Sequence, residues 1–176
     1  MVRTRRRGTA LVETPEGILV VSKDGRTYLT PGGGARPSES RQDAAIRELK
    51  EETGLKVVDI AYLFDFVGAT HRGARGGLFK NSHKVYFTRV AGVPRPGREI
   101  KRVAFYDGSG PKISYSARRI IARYRSLDHS GLEFAPVKCP KDGTPVDVRG
   151  EPLRVRCPYD GTMLHRGPDG AYFLEG

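Results

Sequence analysis

Three glutamates, Glu48, Glu51 and Glu52, lie within five residues of a predicted helix, in the segment RELKEETGL. At about 100° per residue they occupy a single arc of about 100° on the helix surface. Carboxylates three and four residues apart repel each other, and the helix dipole disfavours them in the turns before the C-terminus. Any fold that contains this segment has to neutralise a carboxylate patch.

Two ways of neutralising the patch follow from the residue types. A hard divalent cation such as Mg²⁺, which takes oxygen ligands, can bind the glutamates. Alternatively, neighbouring basic side chains can pair with them on an ordinary solvated helix face. The spacing does not decide between these interpretations. The basic neighbours are Arg41, Arg47, Lys50 and Lys56.

Capping signals predict where this helix begins and ends. Ser40 is a good N-cap, Asp43 three residues later can complete a capping box, and Gly54 predicts a left-handed C-terminal cap. Residues 31–34 (PGGG) precede the helix and form a backbone that can approach a ligand closely. The patch is therefore expected on a helix that follows a glycine-rich loop.

The spacing around the patch matches a known motif. Gly33 is followed after five residues by Glu39, and after seven more by RELKEETGL. This pattern resembles the Nudix box, G-x5-E-x7-R-E-U-x-E-E-x-G-U with U aliphatic, at every defined position. The resemblance to the family's domain extends over roughly residues 5–127, since the predicted order of strands and helices is also similar.

The resemblance implies a fold, an activity and a cofactor. The fold class is α+β, a Nudix-type α/β/α sandwich with a mixed sheet. The activity is hydrolysis of a phosphoanhydride bond in a nucleoside diphosphate linked to another moiety, which releases a nucleoside monophosphate. The implied cofactor is Mg²⁺ or Mn²⁺, because bound metal neutralises phosphate oxygens and acidifies the attacking water.

The same resemblance assigns roles to residues of the box. Glu51 and Glu52 are expected to be metal ligands, and Glu48 a ligand or the catalytic base. Arg47 is expected to orient Glu48, and Gly32 to offer its backbone carbonyl to the metal.

Two acidic residues outside the patch also have expected roles. Glu39 is expected to fix the loop rather than to take part in the chemistry. Glu99, just before a predicted strand, is the candidate for an additional acid that many members of the family use, unless it is a solvated loop residue. Whether Glu48 or Glu99 is the general base stays open.

The rest of the first 128 residues predicts further strands and one more helix. An apolar stripe of Ile120, Ile121 and Tyr124 indicates the helix. A basic, glycine-rich loop is predicted at residues 70–83. The predicted strands are 8–13, 17–23, 27–30, 56–68, 84–92 and 100–106, and the predicted helix is 114–125.

Candidate substrate-binding residues come from that loop and from one aromatic. Arg72 and Arg75 can bind phosphate oxygens, unless the loop is only a surface hairpin. Tyr28 can stack on a nucleobase, although such aromatics also belong to cores. The substrate stays open among dinucleotides such as ADP-ribose, nucleotide sugars, diadenosine polyphosphates, oxidised nucleoside triphosphates and RNA 5′ ends.

A shift in composition divides the chain into a predicted hydrolase domain, 1–128, and a small C-terminal subdomain, 129–176. The subdomain repeats CPxDGT at 139–144 and 157–162, which resembles the twin CPxCG knuckles of a zinc ribbon with aspartate replacing each second cysteine. A metal-free β ribbon and a disulfide between the two cysteines are alternatives to bound Zn²⁺. The candidate zinc ligands are Cys139, Asp142, Cys157 and Asp160, with His165 as a substitute.

The net charge of +11 is unevenly distributed. Residues 129–176 carry six Lys/Arg and seven Asp/Glu, whereas residues 1–128 carry 25 and 13. The basic first part favours an anionic partner, a nucleotide or RNA, and leaves open a non-catalytic binding regulator on the same scaffold. No apolar run approaches the ~18 residues of a transmembrane helix. A cytoplasmic protein without a membrane partner is expected, and a homodimer is left open.

Overall fold

The computed structural model describes residues 1–74 and 76–175, which form ten strands and two helices. Neither of these helices is long and apolar enough to cross a lipid bilayer. The helices are α1 (Arg41–Thr53) and α2 (Tyr115–Arg125). The strands are β1 (Val2–Leu11), β2 (Glu13–Thr14), β3 (Gly17–Ser22), β4 (Gly32–Gly34), β5 (Lys56–Arg72), β6 (Leu78–Ala91), β7 (Arg102–Tyr106), β8 (Arg154–Arg156), β9 (Met163–Arg166) and β10 (Tyr172–Leu174).

Two sheets make up the first part of the chain. One has four strands in the order β4-β1-β6-β5, in which β1 and β6 are parallel and the other neighbours antiparallel. The other is antiparallel, with the order β2-β3-β7. The prediction of a mixed sheet is confirmed.

Alternation along β1 divides its side chains between two cores, because successive residues of a strand face opposite sides of the sheet. Ala10 packs in the cluster that contains Leu49 of α1, whereas Leu11 packs in the cluster that contains Ile120 of α2. The two helices therefore cover opposite faces, and the predicted α/β/α sandwich is confirmed.

Helix α1 begins and ends where the sequence predicts. The Oγ of Ser40 accepts a hydrogen bond from the backbone N–H of Asp43 at 2.9 Å. Gly54 adopts a φ of 72°, and its N–H donates to the carbonyl oxygen of Lys50. These caps fix the length of the helix and so the position of the glutamates near its end.

Three strand predictions are wrong. Strand β1 begins at Val2 rather than at residue 8, because Val2–Leu11 pairs in parallel with β6. Strands β5 and β6 run through most of the loop predicted at 70–83. In the segment 27–30, Tyr28 and Leu29 form only isolated bridges. The first two depend on pairing between segments distant in the sequence, which local patterns do not report.

The C-terminal residues 129–176, here called the ribbon, contain a third sheet of order β10-β9-β8. A separate hydrophobic cluster lies beneath it. The predicted small β ribbon is therefore present, while the domain boundary at residue 128 stays a prediction. The buried residues of the cluster are Cys139, Val146, Cys157 and Leu164.

Lysines of α1 and β5 attach the ribbon to the sandwich. The Nζ of Lys50 donates to the carbonyl oxygen of Tyr159 at 2.5 Å and also lies 4.4 Å from the centre of its ring. The Nζ of Lys56 donates to the carbonyl oxygen of Asp142. Both contacts place the ribbon directly beside the helix that carries the glutamates.

Candidate active site

Arg47 holds the acidic side chains of the box together. Its Nε and Nη2 donate to the two carboxylate oxygens of Glu39 at 2.7 and 3.0 Å. Its Nη1 donates to Glu48 Oε1 at 2.7 Å and to Glu51 Oε2 at 3.1 Å. The hydrogen bonds that Arg47 donates to Glu39 and Glu48 raise its pKa above the usual value for arginine. One guanidinium thus partly neutralises three carboxylates and sets the orientation of Glu48.

The other basic neighbours of the patch point elsewhere in the described part of the chain. Arg41 Nη1 donates to Ser82 Oγ at 3.2 Å, and Lys50 and Lys56 bind the ribbon. The interpretation as an ordinary solvated face, in which all four basic residues pair with the glutamates, therefore applies to Arg47 alone.

Glu39 ties the preceding loop to α1. Its Oε2 accepts a hydrogen bond from the backbone N–H of Arg36 at 2.9 Å, and Arg47 Nη2 also donates to the carbonyl oxygen of Gly34 at 3.1 Å. Both ends of the loop are held by the same ion pair. This geometry agrees with the expectation that Glu39 fixes the loop.

Glu52 is the most deeply placed carboxylate of the patch, with 6% of its surface exposed. Its Oε2 accepts a hydrogen bond from the backbone N–H of Gly32 at 3.0 Å. Burial, and then the nearby charge of Glu48, raise the pKa of Glu52 to about 7. A buried carboxyl that resists ionisation is a group that a cation would stabilise in its charged form.

The glycine loop approaches the patch more closely than any side chain permits. A Cβ added to Gly33 would lie 2.1 Å from the Cδ of Glu48. A side chain at this position of the box would therefore displace the Glu48 carboxylate from its place against β4.

Two arginines that the sequence did not single out complete the site. Arg98 Nη1 pairs with Glu51 Oε2 at 2.6 Å, and Arg7 Nη2 donates to the carbonyl oxygen of Gly32 at 3.1 Å. Arg7 therefore binds the carbonyl that was expected to face a metal. Neither arginine belongs to a motif, and only the excess of basic residues in 1–128 hinted at such partners.

The donor set of the patch fits a divalent cation shared with substrate. Three carboxylates lie on one helix face, one of them buried, and Mg²⁺ commonly takes one or two carboxylates plus waters and phosphate oxygens. Among the described residues, these three carboxylates do not bring ligand atoms within 4.8 Å of one another, as a closed metal site would. The patch therefore corresponds to an open site rather than to a protein-only cage.

Glu99 lies at the rim of the site. Gly97 donates its N–H to the carbonyl oxygen of Glu52 at 3.0 Å, which packs this loop on the end of α1. The side chain of Glu99 is 70% exposed and pairs with Lys23 at 3.0 Å. Its carboxylate thus contacts a lysine of the rim and none of the described glutamates.

Two of the substrate-binding candidates from the sequence, Tyr28 and Arg72, lie apart from the patch. Tyr28 is buried in the α2 core, so its ring is not available to stack on a base. Arg72 ends β5, and its Nη1 reaches Gly76 O at 3.4 Å. Through β6, Arg72 is level with Val2, roughly 20 Å along β1 from Gly8. Arg75 lies outside the described residues.

The two knuckles of the ribbon have the same backbone geometry. In each, the cysteine N–H donates to the threonine carbonyl at 2.7 Å, and the aspartate Oδ1 accepts from the threonine N–H at 2.8 Å. The aspartates therefore close the turns in which a zinc ribbon has cysteine. The residues involved are Cys139, Asp142 and Thr144 in one knuckle, and Cys157, Asp160 and Thr162 in the other.

Three of the four zinc candidates converge. One ligand atom each from Cys139, Asp142 and Cys157 lies within 4.8 Å of the others, and these residues could hold a metal ion. Both cysteines are free thiols, so no disulfide joins them. Burial raises the pKa of the Cys157 thiol to about 12. Asp160 instead pairs with Lys141 at 3.0 Å.

Known proteins resemble the chain over the sandwich. The NUDIX domain profile matches residues 3–108. YtkD of Bacillus subtilis, provisionally named an 8-oxo-dGTP diphosphatase, is 44% identical over 109 residues, which is 62% of this chain and 61% of YtkD. The ADP-ribose pyrophosphatase of Methanocaldococcus jannaschii is 26% identical over 119 residues, 65% of this chain and 69% of that protein.

A solved structure agrees with these matches. A protein from Chromobacterium violaceum, provisionally placed in the nudix hydrolase family, superimposes with a TM-score of 0.59 and 36% identity, over 72% of this chain and 82% of that one. The match to YtkD spans less than two thirds of that relative. The profile match, the complete box and the shared fold lead to one conclusion: the chain belongs to the Nudix hydrolase family.

Proposed function

We propose that this protein hydrolyses a phosphoanhydride bond in a nucleoside diphosphate linked to another moiety, and releases a nucleoside monophosphate. The observation that carries the proposal is the set of hydrogen bonds from the Arg47 guanidinium to Glu39, Glu48 and Glu51. It fixes Glu48 and Glu51 on the helix face next to buried Glu52, whose carboxylate accepts from the loop N–H of Gly32. The named substrates of the two curated relatives, 8-oxo-dGTP and ADP-ribose, share such a bond.

The carboxylates of the patch would hold the metal. Glu51 and Glu52 are the proposed ligands, with the carbonyl oxygen of Gly32 completing the protein's share. When bound, Mg²⁺ or Mn²⁺ supplies charge neutralisation of the phosphate oxygens and acidifies a water. Arg98 binds Glu51 Oε2 and Arg7 binds the Gly32 carbonyl oxygen, which leaves Glu51 Oε1 and the second lone pair of that carbonyl for a cation.

Glu48 is the proposed general base. Arg47 binds its Oε1, which leaves Oε2 to accept a proton from the attacking water. Its position is fixed by the ion pair and by the Gly33 contact, whereas Glu99 is an exposed rim residue. A base held in one orientation contributes more than a mobile one, because the proton transfer needs defined geometry.

The test is product analysis with a nucleotide panel in Mg²⁺ and in Mn²⁺, using wild type, Glu52→Gln, Glu48→Gln and Glu99→Gln. Loss of a metal ligand or base removes several kcal/mol of transition-state stabilisation, so kcat should fall at least about 100-fold in the first two. Glu99→Gln should retain most activity. Glu16→Gln, in the exposed turn between β2 and β3, is the matched control.

Several outcomes would contradict this proposal. Nucleotide binding without any released product in either metal would favour the non-catalytic regulator. Full activity of folded Glu52→Gln would show that the glutamate patch takes no part in hydrolysis. A greater loss of kcat in Glu99→Gln than in Glu48→Gln would indicate that Glu99 is the general base.

A further inference from the structure

A cleft of about 820 Å³ lies between the box helix and the ribbon. Ligand-binding pockets commonly have this size and commonly lie where two structural units meet. Its walls come from both units: the loop before α1 and one face of α1 on one side, and the segment around β8 on the other.

One wall adjoins the proposed metal site directly. Asp43, Arg47 and Glu51 follow one another at intervals of four along α1, so they form a continuous stripe that lines the cleft. Glu51 is also a proposed metal ligand. A substrate whose diphosphate reaches the glutamate patch would therefore extend into this cleft.

The opposite wall presents arginines of the ribbon. Arg154 and Arg156 are two residues apart in β8, so both side chains leave the same face of the sheet, and both line the cleft. Between them, Val155 packs towards the ribbon's own core. Their direction is thus set by the strand and not by a flexible loop.

Among the described residues, five arginines and four carboxylates line the cleft, and the ion pairs between them leave some of the arginines unpaired. Arg47 pairs with box glutamates, and Arg149 pairs with Asp147. In the described part of the chain, Arg36, Arg154 and Arg156 form no ion pair with a carboxylate; Arg156 Nη1 donates only to the carbonyl oxygen of Gly161, at 2.9 Å. Three guanidinium groups therefore face a shared space without a carboxylate partner of their own.

The ribbon wall is held at a fixed distance from α1. Lys50 binds the carbonyl oxygen of Tyr159 and covers its ring. Because a cation already occupies one face of the Tyr159 ring, a nucleobase cannot stack on that face. The free groups of the cleft are guanidinium donors, whose planar fork matches phosphate oxygens.

We propose that this cleft binds phosphate groups of the substrate beyond the bond that is cleaved, through Arg36, Arg154 and Arg156. This inference rests on the proposed hydrolysis and specifies where the second phosphorylated portion lies. It makes the ribbon a part of the substrate site that the family profile, which ends at residue 108, does not contain.

The kinetic test compares the double variant Arg154→Gln/Arg156→Gln with wild type on every nucleotide that wild type hydrolyses. Removing two charge-assisted contacts should raise KM roughly 100-fold. Because neither arginine lies at the reacting bond, kcat should stay within about twofold. The control is Arg118→Gln/Arg119→Gln, which removes the same charge from exposed positions of α2 and should leave KM unchanged.

A binding measurement separates this proposal from the proposed function. Calorimetric titration with dGTP and with ADP-ribose in EDTA needs no turnover, and at least one of them should bind wild type about 100-fold more tightly than the β8 variant. If wild type is active and the β8 variant has unchanged KM and affinity, the proposed phosphate binding in the cleft is wrong, while the proposed hydrolysis is unaffected.

If wild type hydrolyses no nucleotide, the proposed function fails and the titration alone decides. Weaker binding in the β8 variant than in the α2 control then supports the cleft. Equal affinities, or no binding of either ligand, overturns it.

Discussion

The glutamate patch and the ribbon knuckles are both sets of potential metal ligands, and they are built in opposite ways. In the patch, Arg47 Nη1 binds both Glu48 and Glu51, but among the described residues Glu48, Glu51 and Glu52 do not bring ligand atoms within 4.8 Å of one another. In the knuckles, the ligand atoms of Cys139, Asp142 and Cys157 lie within 4.8 Å of one another in a buried cluster.

The difference shows that ligand atoms can lie close together without being free to bind a metal. The converging ligands of the ribbon already have other contacts: Asp142 closes its turn and accepts from the Cys157 thiol at 3.4 Å, and both cysteines are buried in the ribbon's hydrophobic cluster. In the patch, arginines bind Glu48 Oε1 and Glu51 Oε2, and the second oxygen of each carboxylate has no such partner among the described residues. A catalytic metal site needs the second arrangement, because substrate must supply some of the ligands.

The largest expected effect comes from removing the shared guanidinium. Arg47→Ala leaves three largely buried carboxylates without their common partner, and breaking a buried ion pair costs about 3–5 kcal/mol. Urea unfolding in EDTA should show this loss. Arg98→Ala removes a 56% exposed partner of Glu51 and should cost under about 1 kcal/mol. Equal losses in the two variants would mean that Arg47 is not the organiser of the patch.

The next effect separates the two regions as folding units. Leu164 in the ribbon and Leu49 in the sandwich are both fully buried, and each Leu→Ala change should cost about 3 kcal/mol. Leu164→Ala should speed hydrogen exchange in β8–β10 while β1 and β6 keep their protection, and Leu49→Ala should affect the sandwich. Uniform loss of protection across the chain in Leu164→Ala would abolish the predicted boundary at residue 128.

The smallest effect concerns metal removal from the ribbon. Structural zinc takes four ligands, and among the described residues three groups converge here. Hydrogen exchange of β8–β10 should therefore be the same before and after dialysis against EDTA. Stoichiometric zinc in the purified protein, with faster exchange once it is removed, would show that the knuckles are a working zinc site.

The sequence predicted the features that depend on neighbours along the chain. Ser40 and Gly54 bound α1 as expected, because capping is a local property of the backbone. The roles of Glu48, Glu51 and Glu52 came from resemblance to the box and stay proposals. Tyr28 illustrates the limit of residue type: an aromatic on a predicted strand has the same pattern whether it faces a ligand or a core.

Features that depend on distant contacts could not be predicted. Strand β1 begins at Val2 because β6, more than seventy residues away, pairs with it. Arg98 reaches Glu51 across a gap of 47 residues, and no motif marks it. The cleft needed the position of the ribbon against α1, which no local pattern contains.

Lys50 occupies the single position of the helical box segment between Leu49 and Glu51, one that the motif leaves unrestricted. In this chain its side chain is committed to Tyr159 of the ribbon. The sequence of the box helix is therefore constrained on two faces. The glutamate face carries the proposed metal site, and the lysine face attaches the ribbon. Among proteins that share this tail, residues 50 and 159 should change together, and an enzyme without the tail should be free to replace the lysine.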